Sequence, residues 1–534
     1  MTLVSDERAS DEADEPEDGR PVDGVVVADD AIEPDDSKNE LLFGLTWSGR
    51  VPTAVWLGLT LLVALVVRTV NLNAVGFNSD EAVYAGQSAS LAGNPLFVHQ
   101  FPVFRAHPLL LPTLLSPLFS SGTPDLRGRV VVALLGVATV FAVFLVGREL
   151  YGAKTGILGG LILALMPFHA VVTRQLLLDG PAVLCATFSL WMLARFVRTE
   201  RFEWLAASAA SLGLAVLTKE TSAILAGAMV LFLLVSAEVR RPGRAVALAL
   251  VVMGAVSIVF PLAISLAGRS TTGGNYLAWQ LTRSSNHAGT FYLTTIPAAI
   301  GWLVVGAAAG ALIFQINRTW RELLLVSWIL VPFVALEAYP LKGYQYLLPI
   351  APALALLASR GLTTWHLPAR WGKFTGDVAR PVLIAVVAAS LLPGLWSVVF
   401  PPANASSLAG QGGVPGGREV GKWIGANLVP GTELMTIGPS MANILEYYGH
   451  RPAQGLSVST DPLHRNPSYT PIYNPDRSVR DGQFSYLVWD AYSAFRSPST
   501  SHRLQVLVTR YHGIAVHTQK VNGRPIIVVY EVHP

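Results

Sequence analysis

Two adjacent carboxylates, Asp80 and Glu81, stand in the stretch "GFNSDEAVYAGQSASLAGNP" (76–95), just after the first long apolar run of a 534-residue chain with only 14% charged residues. An acidic pair in so apolar a chain needs a reason, and the local pattern supplies a first one. Asn78 followed three positions later by Glu81 has the form of a capping box, and acids in a first helical turn favour the positive end of the helix dipole. Ala82, Ala85, Gly86, Ala89, Ala92 and Gly93 then recur at helical spacing, so one face is small enough to lie close against other helices. Gly93-Asn94-Pro95 ends that helix.

Other charges gather at the same level of the chain's apolar segments. His107 precedes Pro108, with Arg105 two residues before it, and Arg129 opens an apolar run. Arg174 and Asp179 lie five residues apart across a tight turn, close enough in sequence to pair. Lys219 and Glu220 occupy another turn, and Lys342 a further one, flanked by Tyr339, Tyr344 and Tyr346. Charges of both signs at one level of four different spans predict a shared polar cavity. Carboxylates and cations together near lipid suit an anionic, lipid-linked substrate.

The elements that must position these residues are membrane helices. Apolar runs of about 20 residues recur between Leu57 and Phe400, the length that matches a hydrocarbon core of roughly 30 Å. About eleven spans are expected on this basis, over 51–70, 129–147, 155–173, 180–197, 203–218, 222–237, 245–266, 291–315, 323–339, 344–359 and 381–400. The turns "GRELYGAK", "ARFVRTER", "EVRRPGR" and "INRTWRE" are basic, the positive-inside pattern, which places the N-terminus in the cytoplasm. The loop 71–128 and the region after 400 then fall outside the cell membrane. Residues 1–45 hold an acidic tail, with 15 Asp and Glu against 3 Lys and Arg in the first 40. Such a composition cannot bury enough apolar surface to offset its ordering entropy, and it reads as disordered. The chain thus divides into that tail, a transmembrane domain over 46–400, and a small soluble α/β domain over 401–534. In the last, "ELMTIG", "FSYLVWD" and "RPIIVVYEV" read as strands, "PSMANILEYYGH" and "HRLQVLVTRYHG" as helices. The single cysteine, Cys185, excludes an intrachain disulfide.

The acidic pair, "RGRVVVALLGVATVFAVFLVGRELYG", "R-x-x-L-L-D", "LTKET" and "K-x-x-Q-Y-L-L-P-x-x-P" together resemble the integral-membrane glycosyltransferases of the GT-C fold. The branch is that of the protein O-mannosyltransferases and the lipid A aminoarabinose transferase. The resemblance covers about residues 50–400. It implies an all-α polytopic GT-C membrane protein with an extracytoplasmic α/β domain. It also implies a donor that is a polyprenyl phosphate monosaccharide and a hydroxyl acceptor on protein, lipid or glycan. By the same resemblance Asp80 is the catalytic carboxylate and Glu81 its supporting neighbour. Arg129, Lys219 and Lys342 would meet the donor phosphate, while Arg174, Asp179 and Tyr344 would be structural or position substrate. Relatives on the aminoarabinose side carry a Lys before the Pro-Pro of the first loop. This chain has "RAHPLL", so Arg105 or His107 would stand in for it.

The chemistry implied is direct displacement with inversion, Asp80 taking the acceptor's proton as general base. No cofactor is required on this reading, although Asp80, Glu81 and Asp179 offer oxygen ligands for a divalent cation. Nothing points to nucleic acid. The competing class is a non-enzymatic polytopic lipid or glycan transporter, in which polar groups gather at the midplane rather than at one face.

Overall fold

The computed structural model describes residues 52–102, 107–122, 124–268, 279–280, 282–283, 285–314, 319–364, 373–402, 405 and 413–533. The acidic tail expected over 1–45 lies outside them, as does Arg105. All described residues belong to one compact unit, a helical bundle followed by a five-stranded α/β part.

The chain is a multi-pass membrane protein, but its described residues do not hold eleven long spans. Among the described residues five helices are long and apolar enough to cross a membrane: Asp125–Tyr151, Asp179–Thr199, Pro242–Leu266, Tyr344–Thr364 and Val378–Val399. Counting each of two bent pairs as one span raises the number to 7. Hydropathy marks every apolar run and is blind to where the run stops being one straight helix. Thr53–Thr69, Phe202–Thr218 and Glu220–Val235 are shorter apolar helices. The run 155–173 breaks at Met166-Pro167 into helices bent by 65°, and the run 291–315 breaks at Gly301 by 100°.

The first eight helices carry most of the site: α1 (Thr53–Thr69), α2 (Ser79–Leu91), α3 (Leu110–Leu115), α4 (Asp125–Tyr151), α5 (Ala153–Leu165), α6 (Pro167–Thr173), α7 (Asp179–Thr199) and α8 (Phe202–Thr218). Backbone freed at their ends and breaks has no water to turn to in a membrane, so side chains must satisfy it. Pro167 lacks an N–H, which leaves the Leu163 carbonyl without its helical donor. Arg68, fully buried on α1, donates to Leu163 O at 3.4 Å and Ala164 O at 3.2 Å. Arg174, just after α6, returns the favour to α1, donating to Val67 O, Val70 O and Asn71 O at 2.6, 2.9 and 3.2 Å. Two guanidiniums thus act as caps for a neighbouring helix.

Close helix crossings rest on glycine. At Gly147 on α4 an added Cβ would lie 2.5 Å from the Cα of Gly156 on α5. Gly86 on α2 lies under the Phe101 ring, where a Cβ would come within 2.3 Å. The small-residue face read on α2 is the face that packs: Ala82, Ala85 and Ala89 are fully buried.

The α/β part forms a sheet in the order β2-β1-β3-β5-β4, from β1 (Leu434–Thr436), β2 (Ala453–Gly455), β3 (Tyr486–Asp490), β4 (Ile514–Val521) and β5 (Arg524–Glu531). β1 is parallel to β2 and β3, whereas β5 runs antiparallel to β3 and to β4. Alternate residues face opposite sides. Leu434, Val488, Ile527 and Val529 join the core of the helical bundle through helix Pro439–Gly449, while Met435 and Leu487 pack with Leu504 and Leu507 of helix Pro498–Arg510 in a second core. The first of these cores is continuous from membrane helices to sheet.

Gly147→Leu should destabilise the bundle by about 2 kcal/mol or more, because a side chain cannot enter the α4–α5 crossing without moving backbone. Gly58→Leu, where nothing lies within 4 Å of the added Cβ, should leave the melting temperature in detergent unchanged. Equal melting of the two variants would contradict the packing described.

Candidate functional site

The capping box at the start of α2 is formed in full. The Asn78 side chain accepts from Glu81 N at 2.8 Å, and Asn78 N donates to Glu81 Oε2 at 3.2 Å. That geometry turns Glu81 inward, where it is 0% exposed, and the consecutive residue Asp80 toward a cavity. Glu81 meets Arg129 in a two-pronged pair, Nε to Oε1 at 2.8 Å and Nη2 to Oε2 at 2.7 Å, and accepts Leu176 N at 2.8 Å as well. Both carboxylate oxygens therefore accept two hydrogen bonds each. Arg129 gives its remaining donors to the carbonyls of Leu72, Val75 and Gly76 at 3.2, 2.6 and 3.2 Å. With five N–H groups on a guanidinium, none is left over.

This corrects two expectations. Arg129, 3% exposed, does not line the cavity and has no donor to offer a phosphate. Lys342 is likewise turned away: its ammonium donates to the Glu337 carbonyl, lies 3.2 Å from Glu337 Oε2 and stands 5.4 Å from the centre of the Tyr292 ring. A third expectation, pairing of Arg174 with Asp179, also fails. Arg174 caps α1, and Asp179 binds Lys219 Nζ at 2.6 Å instead. Tyr344 is set edge-on against Phe168, ring centres 5.1 Å apart, and its neighbours Gln345 and Tyr346 are the ones that reach the cavity.

The cavity, about 1030 Å³, lies between the helical bundle and the α/β part. Ser79, Asp80 and Tyr84 of α2 line it; Asp80 and Tyr84 share a face because they are four residues apart. Asp179, Lys219 and Glu220 line it from the next turns, with Tyr346 beneath the Lys219 ammonium at 4.5 Å from the ring centre. His107 sits among them, its Nδ1 2.9 and 3.1 Å from the two oxygens of Glu220 and its ring 5.9 Å from that of Tyr84. Burial works to lower the His107 pKa, but the charge and hydrogen bond of Glu220 outweigh it, with help from Asp80, so the imidazole is raised above its ordinary value. Arg283 enters from the segment before helix Phe291–Ile300. It stacks over Trp279 at 4.4 Å, donates to Gln280 Oε1 at 3.3 Å, and pairs with no carboxylate among the described residues. An apolar strip of Ile224, Phe260, Pro261, Ile264 and Leu336 completes the bundle's side.

Helix Pro439–Gly449 ties the α/β part to α2. Asn443 donates to Ser79 Oγ at 2.8 Å and to the Tyr469 hydroxyl at 2.9 Å. The Tyr448 hydroxyl accepts from Phe77 N at 2.9 Å and donates to Asp125 Oδ2 at 2.7 Å. None of these residues, nor Arg283, was singled out by sequence; the one signal available was that the α/β part follows the last span directly. Among the described residues no group of three or more His, Cys, Asp or Glu is disposed to hold a metal ion.

Breaking a buried pair strands the remaining charge and costs about 3–5 kcal/mol. Glu81→Gln and Arg129→Ala should therefore lose folded protein in a detergent gel-filtration assay, and Arg129→Lys should not rescue, having no second prong. Asp80→Asn should chromatograph as wild type; aggregation of all four variants alike would refute the division of roles.

The raised His107 pKa implies a stability contribution present at low pH and lost as pH rises through it. His107→Gln should melt below wild type at about pH 6, and the gap should narrow as the pH rises over the range above it. A constant gap across that range would remove the charged pair.

A profile of the family described as dolichyl-phosphate-mannose-protein mannosyltransferase matches residues 106–264. No curated protein matches. Among solved structures, ArnT from Cupriavidus metallidurans bound to undecaprenyl phosphate is similar with a TM-score of 0.64 at 19% identity, covering 89% of this chain and 98% of that one. The oligosaccharyltransferase of Archaeoglobus fulgidus in its apo form is similar with a TM-score of 0.60 at 14% identity, covering 88% and 73%. AglB from the same organism, in complex with an inhibitory peptide and a dolichol-phosphate, gives 0.59 at 11%, covering 90% and 74%. The chain has the GT-C fold of these proteins.

Proposed function

We propose that this chain is a membrane glycosyltransferase. It moves a monosaccharide from a polyprenyl phosphate to a hydroxyl acceptor at the outer surface of the cell membrane. The observation that carries the reading is the cavity. One carboxylate, Asp80, is turned into it by a cap whose other acid is fully engaged, and an alkyl-lined strip meets polar groups at the same place. The fold shared with ArnT bound to undecaprenyl phosphate and with AglB bound to dolichol-phosphate supports it.

The reaction is a single displacement. Asp80 accepts the acceptor's hydroxyl proton as that oxygen bonds to the anomeric carbon, while the bond from carbon to phosphate oxygen breaks. The polyprenyl phosphate leaves with the bonding electrons, needs no proton, and the anomeric centre inverts. Negative charge grows on the phosphate, and fixed donors aimed at it lower the barrier more in a partly dry site than in water. Arg283 is the best-placed cation for that role, because Lys219 is already paired with Asp179. Lys219 instead holds Asp179 and Tyr346 in place. Ile224, Phe260 and Ile264 suit the isoprenoid chain.

Deletion of the gene should leave one polyprenyl-phosphate sugar accumulated and one sugar missing from a surface component, both read by mass spectrometry. The wild-type chain should restore the missing sugar, and Asp80→Asn should restore less than about a thousandth of it. Full restoration by Asp80→Asn, or an unchanged donor pool in the deletion strain, would sink the proposal.

A further inference from the structure

The cavity has a second wall whose chemistry differs from the first. It comes from the turns that follow β1, β2 and β3, with the segment 464–469 beside them. These turns are the carboxyl ends of three parallel strands, the edge at which α/β sheets usually hold ligands. Ser440, Ser457, Ser459 and Ser493 line the cavity there. Two guanidiniums accompany them, Arg465 and Arg496, and no carboxylate of the α/β part is among the residues lining the cavity. Every acid in the lining, Asp80, Asp179 and Glu220, belongs to the helical bundle.

Arg465 carries an observation that asks for a ligand. Its Nη1 is buried and has no hydrogen-bond partner among the described residues. A buried charged donor without an acceptor is costly, more so than a neutral one. Arg496 is held on the same wall by the Tyr492 hydroxyl at 2.9 Å, its guanidinium 5.6 Å from that ring centre. The helix that carries Arg496, Ala491–Arg496, is itself fixed by Asp490, whose Oδ1 accepts Ser493 N at 2.7 Å.

We infer that this wall is an acceptor subsite for a hydroxyl-rich glycan bearing an anionic group, a phosphate or a carboxylate. The inference rests on the glycosyltransferase reading. Small hydroxyls match the alternating donors and acceptors of a sugar, and guanidinium forks match planar or tetrahedral anions. On the opposite wall Asp179 and Glu220 are already paired with Lys219 and His107, which leaves Asp80 to face the acceptor's hydroxyl. Donor and acceptor thus enter by different walls, the isoprenoid along the apolar strip and the glycan along the sheet edge.

The test uses the full chain in lipid nanodiscs and saturation-transfer NMR with glucose 6-phosphate, glucuronate, glucose, inorganic phosphate and a serine-rich peptide as probes. Glucose 6-phosphate or glucuronate should bind at least about tenfold more tightly than glucose or phosphate alone. Arg465→Ala and Arg496→Ala should each remove most of that advantage, Arg465→Lys should retain part of it, and thermal melting should confirm that all three are folded. The binding readout needs neither a donor nor transfer, so a failure of the transfer reading is separable from a failure of this one. Equal binding of neutral and anionic sugars would overturn the inference, as would preference for the peptide or indifference to both alanine variants. Competition seen only when the discs contain anionic phospholipid would assign the arginines to a lipid headgroup instead.

Discussion

The pair between Glu81 and Arg129 organises everything around it. An acid and a base buried together in an apolar bundle persist only when each hydrogen-bonding site is filled, and here both are. Glu81 binds the guanidinium, the cap of its own helix and the backbone of Leu176; Arg129 adds three carbonyls from the chain that leads into α2. Three stretches distant in sequence, 72–81, Arg129 and Leu176, are therefore locked at one point. The adjacent residue Asp80 inherits its direction from that lock, since consecutive helical residues face about 100° apart. The acid that lines the cavity is thus oriented by a neighbour that is buried beneath it.

The same economy governs the other charges. In a soluble protein Arg68, Arg174 and Lys342 would read as surface or ligand-binding residues. Within this bundle they satisfy carbonyls at helix ends and breaks, the groups a membrane leaves without water. Cations that face the cavity come instead from loops and from the α/β part, as Arg283, Arg465 and Arg496 do.

What the sequence made legible was local. The Asn78–Glu81 box, the small face of α2 and the strands β1, β3 and β5 follow from patterns within about ten residues. Partner choice was not legible, because Arg129 is 48 residues from Glu81 and Lys219 is 40 from Asp179. The turn that puts Arg174 and Asp179 side by side in sequence sends them to different helices. β2, three residues long, and β4, an edge strand with no buried residue, carry too little apolar alternation to be seen. The count of spans failed for a related reason: a proline or glycine within an apolar run bends the helix without changing its hydropathy.

Tyr448 has a consequence for how the protein is made. Its hydroxyl joins the backbone just before α2 to the first residue of α4, and Asn443 holds Ser79 from the same helix. Chains are synthesised from the N-terminus, and early segments fold while later ones are still on the ribosome. The helix bearing Asp80 therefore waits, through the translation of more than 300 intervening residues, for the side chains that complete its setting. Until they arrive the cavity that Asp80 lines lacks its second wall, so a truncated or stalled chain would carry the acid without the other half of its setting.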